Sequence, residues 1–201
     1  GIEFFQSLET LNLYETKNIS NASALEKMPS LQTLVSKSDY SQDELNFSKC
    51  KFNPGMIGKK NNIVNLSVFE WVDYPNLCSE VTTNFFIKCK KMMNLEWLKG
   101  FPNLSKLSIQ CSDLNDIKGL RYVPNLIYLS ISEASIHKLE GIEILKSLET
   151  LVIDSCASII DIDEVATLPK LTRLNVRSCN NLASFIGFSS NENLQQVTES
   201  M

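Results

Sequence analysis

A repeat of 22 residues constrains this chain more tightly than any other feature. Counting from Leu104, apolar residues follow at Leu107, Ile109, Leu114, Ile117, Leu120 and Val123. The same offsets recur from Leu126 as Leu129, Ile131, Ile136, Leu139, Ile142 and Leu145, and the next unit opens at Leu148, again 22 residues on. The units from Leu8 and Leu148 each carry one more residue in the connector, and the unit from Leu171 runs through Leu174, Val176, Leu182, Phe185 and Phe188. A partial unit opens at Leu194 and Val197. The phrase Pro-x-Leu precedes four of the strand segments, at Pro29, Pro102, Pro124 and Pro169, and residues 1–11 match residues 141–151 almost step for step. A fixed period of this size marks stacked structural units, none of which buries its apolar stripe alone.

Each unit divides into two halves by spacing. The opening L-x-x-L-x-L ends in strict alternation, which sends two apolar side chains into one face of a short strand and the intervening residues out of the other. The later apolar residues come at every third position, the spacing of 3-10 turns with one inward stripe. The expectation is about eight parallel strands, one per unit, backed by turns, 3-10 segments or short helices: a strand-plus-turn solenoid of the α/β class.

The array is irregular in its middle. The second unit starts at Leu31, the third at Ile63 and the fourth at Thr82, so these steps are 32 and 19 residues. Residues 50–60, with Pro54-Gly55 and no apolar period, read as an inserted loop. Residues 1–201 otherwise form a single array, and its opening inside a repeat tail suggests a piece of a longer protein.

The pattern L-x-x-L-x-L-x-x-(N/C/T)-x-L, with the tail Ile117-Lys118-Gly119-Leu120-Arg121-Tyr122-Val123-Pro124-Asn125-Leu126, resembles the leucine-rich repeat family. It is closest to the 22-residue subclass seen in bacterial internalins and the leucine-rich regulator of protein phosphatase 1. The resemblance implies a horseshoe or arc with its strands on the concave face. The family's polar ladder position falls on Thr16, Asp39, Trp71, Lys90, Ser112, Ala134, Cys156 and Cys179. The last two resemble the cysteine-containing ladders of plant resistance receptors and F-box repeat proteins, and are read as small buried thiols.

Composition narrows the function. The net charge is −4, and no basic run exists, which argues against nucleic acid as the partner. No apolar run approaches the roughly 18 residues of a membrane helix. Six cysteines without a C-x-x-C pair, and one histidine, His137, fit free thiols in a reducing compartment, hence an intracellular setting in the cytoplasm or nucleus. No nucleophile elbow, zinc-protease helix, phosphate loop or dinucleotide fingerprint occurs, so no catalytic residue, cofactor or metal ligand is assigned and the chain is not read as an enzyme. Asp161, Asp163 and Glu164 are read as a solvated connector.

What remains is the open face of the sheet. Its outward positions fall at offsets 2, 4 and 6 of each unit, and eight residues there stand out as partner-binding candidates: Tyr14, Phe69, Phe86, Lys88, Lys106, Tyr128, Arg173 and Arg177. A solvated face has no packing need for Phe69 and Phe86, and aromatic and arginine side chains dominate binding surfaces. A slip of one residue in the irregular middle would bury both rings instead. The reading is a protein–protein interaction module that grips its partner on the concave face. The alternatives are a recognition or regulatory arm of a larger enzyme or immune receptor, and an extracellular adhesion or receptor ectodomain.

Overall fold

A computed structural model of the chain describes residues 4–13, 28–37, 65–69, 81–183 and 191–200. Tyr14, the 50–60 loop, the ladder positions Thr16, Asp39 and Trp71, and Cys50, Cys78, Phe185 and Phe188 lie outside those residues. Nine strands form one parallel sheet in sequence order: β1 (Thr10–Leu13), β2 (Thr33–Lys37), β3 (Asn65–Phe69), β4 (Asn84–Cys89), β5 (Lys106–Cys111), β6 (Tyr128–Ser132), β7 (Thr150–Asp154), β8 (Arg173–Arg177) and β9 (Gln196–Ser200). The ninth strand completes the partial unit at Leu194. It is one more than the eight expected.

The alternation of each strand sets its two faces. Leu107, Ile109, Leu129, Ile131, Leu151 and Ile153 are all buried, and they continue through Leu174 and Val176 at one end and Phe85 and Ile87 at the other. Burying a side chain of this size stabilises the fold by about 1.5–3 kcal/mol. At the end of the stack Val197 has the inward register, opposite Leu174, yet it stays 47% exposed. No further rung packs on it among the described residues.

From β4 to β9, and again between β1 and β2, each rung is tied to the one before by the same device. The carbonyl at offset 1 accepts two successive backbone N–H groups from the next unit. Thr83 accepts from Ser105 and Lys106, Ser105 from Ile127 and Tyr128, and Ile127 from Glu149 and Thr150, at 2.8–3.1 Å. The shared acceptor locks the stacking register before the strand begins.

Behind the sheet the threefold apolar spacing becomes 3-10 turns at Glu96–Gly100, Lys118–Tyr122, Ile142–Ile144 and Asp163–Thr167. Their N–H groups bond three residues back, as in Leu120 to Ile117 at 2.9 Å and Val123 to Leu120 at 3.0 Å. Gly119 is required there. A Cβ at that position would stand 2.3 Å from the Leu95 carbonyl oxygen of the preceding turn. Phe85, Trp97 and Phe101 fill the unit that follows the short third repeat, with ring centroids 4.9–5.7 Å apart.

The ladder expectation needs a correction. Lys90 and Ser112 are exposed, and the inward place is taken one residue earlier by Cys89 and Cys111. Strands β4 and β5 are six residues long, so alternation carries the sixth side chain inward. In β6, β7 and β8 the strand stops at five residues, and Glu133, Ser155 and Ser178 follow with φ of 55°, 54° and 50°. That left-handed step turns Ala134 and Cys156 inward and leaves Cys179 half-buried. Cys89, Cys111, Cys156 and Cys179 are free thiols.

Candidate functional site

The strand register assembles the outward residues into rows that run across the sheet. One row is Lys106, Tyr128, Thr150 and Arg173. The middle row is Phe86, Ser108, Ser130, Val152 and Asn175, and the third is Lys88, Gln110, Ser132, Asp154 and Arg177. Lys88, Lys106, Arg173 and Arg177 are exposed, while Phe86 and Tyr128 are half-buried on the same face. Six of the eight sequence candidates thus share one surface. The seventh, Phe69, lies in strand β3, and the eighth, Tyr14, is outside the described residues.

The irregular middle has the register that the repeat spacing requires, because Asn65 pairs with Asn84 and Ser67 with Phe86. No slip occurs. Phe69 pairs with Lys88, so Phe69 and Phe86 are offset by one strand and two residues and are not directly opposed.

Electrostatics separates this face from the rest of the surface. Among the residues whose side chains are described, its outward positions carry four exposed cations and one acid, Asp154, with Glu133 at the end of β6 accepting a hydrogen bond from Gln110 at 2.8 Å, although the whole chain carries a net charge of −4. The three ion pairs among the described residues all lie off the sheet: Lys118–Glu140 at 3.5 Å, Arg121–Glu96 at 2.8 Å and Lys138–Asp161 at 3.0 Å. Arg121 is further tied to the Tyr122 hydroxyl at 2.9 Å, and this bond, followed by the attraction of Glu96, raises its pKa. By contrast Arg173 donates from Nε to Thr150 Oγ1 at 3.2 Å, and Arg177 from Nε to Asn175 Oδ1 at 3.0 Å. Neutral oxygens hold both guanidinium groups in place without neutralising them. Sequence reasoning missed this anchoring. Thr150 and Asn175 were visible as outward residues, but their bonds depend on side-chain rotamers.

A groove of about 600 Å³ opens on the opposite side, lined by residues including Lys118, Glu140, Glu143, Ile144 and Glu164. Much of its charge is spent internally: Lys118 pairs with Glu140, and Glu143 Oε2 accepts the Gly141 N–H at 2.8 Å. Two thiols at the far end of the stack also interact. The interaction of the Cys156 and Cys179 thiols pulls Cys179 down to about 7 and pushes Cys156 up, and each sulfur also contacts backbone carbonyls, Cys156 that of Asp154 at 3.4 Å and Cys179 that of Arg177 at 3.2 Å. His137 is exposed. Among the described residues no helix is long and apolar enough to cross a membrane.

Solved leucine-rich repeat structures share this architecture. An internalin (inlF) from Listeria monocytogenes aligns over 99% of this chain and 62% of its own, with a TM-score of 0.59 and 17% identity. Internalin C2 (inlC2) from the same organism aligns over 95% of this chain and 80% of its own, with a TM-score of 0.52 and 17% identity. TLR13, solved in complex with ssRNA13, aligns over 100% of this chain and 34% of its own, with a TM-score of 0.50 and 15% identity. The chain therefore spans 62% of the length of the first of these proteins. No protein-family model matches the sequence, and no curated protein does.

Proposed function

We propose that this chain, a leucine-rich repeat solenoid, is a protein-interaction module that binds its partner on the open face of the sheet. One observation carries the reading. The face holds four exposed cations that no carboxylate neutralises among the described residues, beside two half-buried aromatic rings, on strands locked in register. Half-buried rings supply area to be desolvated, and unpaired cations orient an acidic or mixed-charge surface and speed its approach. Phe69 holds the register position of Lys88 one strand earlier and belongs to the proposed surface, and Tyr14 is a sequence candidate for it outside the described residues. The free buried thiols support a reducing, intracellular setting for this contact. The chemistry of any larger protein would then lie outside these residues.

The test is capture of partners from a lysate of the source cell, followed by calorimetry on purified variants. Phe86→Ala and Tyr128→Ala should each weaken binding by more than about 1 kcal/mol with an unchanged melting temperature. Lys118→Ala, on the opposite side, should bind as the parent does. Normal binding by the sheet variants, with binding abolished by deletion of residues 50–60, would move the site to that segment.

A further inference from the structure

We infer that the partner segment is an extended acidic peptide that lies across the strands, its carboxylates engaging two separate basic pairs, Lys88 with Lys106 and Arg173 with Arg177. This rests on the sheet-face reading above and adds the shape and charge spacing of what binds there.

The geometry has three parts. The basic pairs flank the middle row from both sides, on β4 and β5 at one end and on β8 at the other. Between them the middle row carries only the short side chains Ser108, Ser130 and Val152, with Phe86 at the β4 end. The floor is low, and at its two ends longer side chains flank it, Lys106 and Gln110 on β5 and Arg173 and Arg177 on β8. The rim rows are four residues apart along each strand, or about 13 Å, which admits one polypeptide chain in width.

Length follows from strand spacing. Successive strands lie about 4.8 Å apart, so the basic pairs are separated by about 14–19 Å. An extended peptide advances about 3.3 Å per residue and spans that gap in about four to six residues. A helix rises about 1.5 Å per residue, so it would need about nine to thirteen residues between its acids to span the same gap. The intervening side chains of an extended segment meet Val152 and the Phe86 ring, so a small apolar residue between the acids suits the floor.

A nucleic acid fits less well. A phosphate backbone presents charge at every nucleotide and is met by a continuous basic track with stacking rings. Here the cations are gathered at two ends, and Asp154 stands in a rim row between Ser132 and Arg177.

The test uses labelled synthetic peptides of roughly twelve residues, each with two Asp residues separated by about two, four, six or eight positions around a central Val, the separations chosen from the strand geometry. Fluorescence anisotropy with the full chain should show affinity greatest at separations of about four to six, and about tenfold weaker both at the shortest separation and when Asn replaces Asp. The double variant Arg173→Gln with Arg177→Gln should lose the optimum while keeping the parental melting temperature. Lys118→Gln should retain it. Affinity that follows total charge regardless of spacing would overturn the inference, as would tighter binding of a single-stranded oligouridylate of similar length. If a captured natural partner is lost on Phe86→Ala but ignores acid spacing, the sheet-face reading stands and this one falls. If no sheet-side variant affects that partner, both fall.

Discussion

Phe85 and Phe86 are chain neighbours that leave strand β4 on opposite faces. Phe85 is 2% exposed, with its ring centroid 5.0 Å from that of Phe101, whereas Phe86 is half-buried on the open face, in register with Ser108. The pair therefore separates stability from recognition at adjacent positions. Phe85→Ala should destabilise the chain by about 3–5 kcal/mol, since it empties a site between Trp97 and Phe101. Phe86→Ala should change stability by less than about 0.5 kcal/mol. Urea melts monitored by circular dichroism decide the matter, and equal losses would contradict the assignment of faces.

The same logic applies where the repeat is regular. Leu129 is fully buried and Ser130 faces out. Leu129→Ala is expected to cost about 2–5 kcal/mol and Ser130→Ala under about 0.5 kcal/mol. A Ser130 variant as damaged as the Leu129 variant would mean that the outward face is itself packed.

Gly119 has no room for a side chain. Gly119→Ala would press a methyl group into the Leu95 backbone, which cannot swing aside as a side chain end can. Overpacking of this kind costs about 1–3 kcal/mol. The expected result is a lowered melting temperature with no change in the spectrum of the folded state. An unaffected melt would show that the two turns can move apart freely.

Among the described cysteines Cys179 should react first with iodoacetamide. It is the one of the four that is not buried, and the Cys156 thiol lowers its pKa to about 7. A lowered value places the thiolate, the reactive form, in the neutral range, so the labelling rate should climb between about pH 6 and 8 and then level off. Cys156 is fully buried and pushed the other way, so it should stay unmodified in the native chain. Peptide mapping by mass spectrometry reads both. Modification of Cys156 ahead of Cys179 would reverse the pairing.

Much of the fold was legible because apolar spacing and backbone geometry share a period. The threefold spacing from Ile117 through Leu120 to Val123 is the 3-10 bond pattern itself. Thr82 could be placed as a unit start, despite its polarity, because Phe85 and Ile87 sit 22 residues before Leu107 and Ile109. The ladder was not legible. Cys89 and Lys90 are both compatible with the apolar positions around them, and the choice depends on whether the strand takes a sixth residue or a left-handed step. Glu133, Ser155 and Ser178 sit at that junction without announcing which conformation they adopt. The open-face candidates were legible as positions. Their charge state as a group was not, because pairing on the far side, as between Arg121 and Glu96, is a matter of three-dimensional placement.

The two ways of closing a strand also set rules for cutting and splicing the array. A unit whose strand ends at Cys89 or Cys111 places its inward side chain one residue earlier than a unit that turns inward at Ala134 or Cys156. Duplicating the unit from Leu126, or exchanging it with the unit from Leu148, joins like to like. Inserting the Leu104 unit between them creates one junction that the described residues do not contain, from a left-handed step back to a six-residue strand, while its other junction repeats the native step from Cys111 to Ala134. Exchange within a class therefore keeps the native kinds of junction, whereas exchange between classes adds a reversed one, and the native seam runs between Cys111 and Glu133.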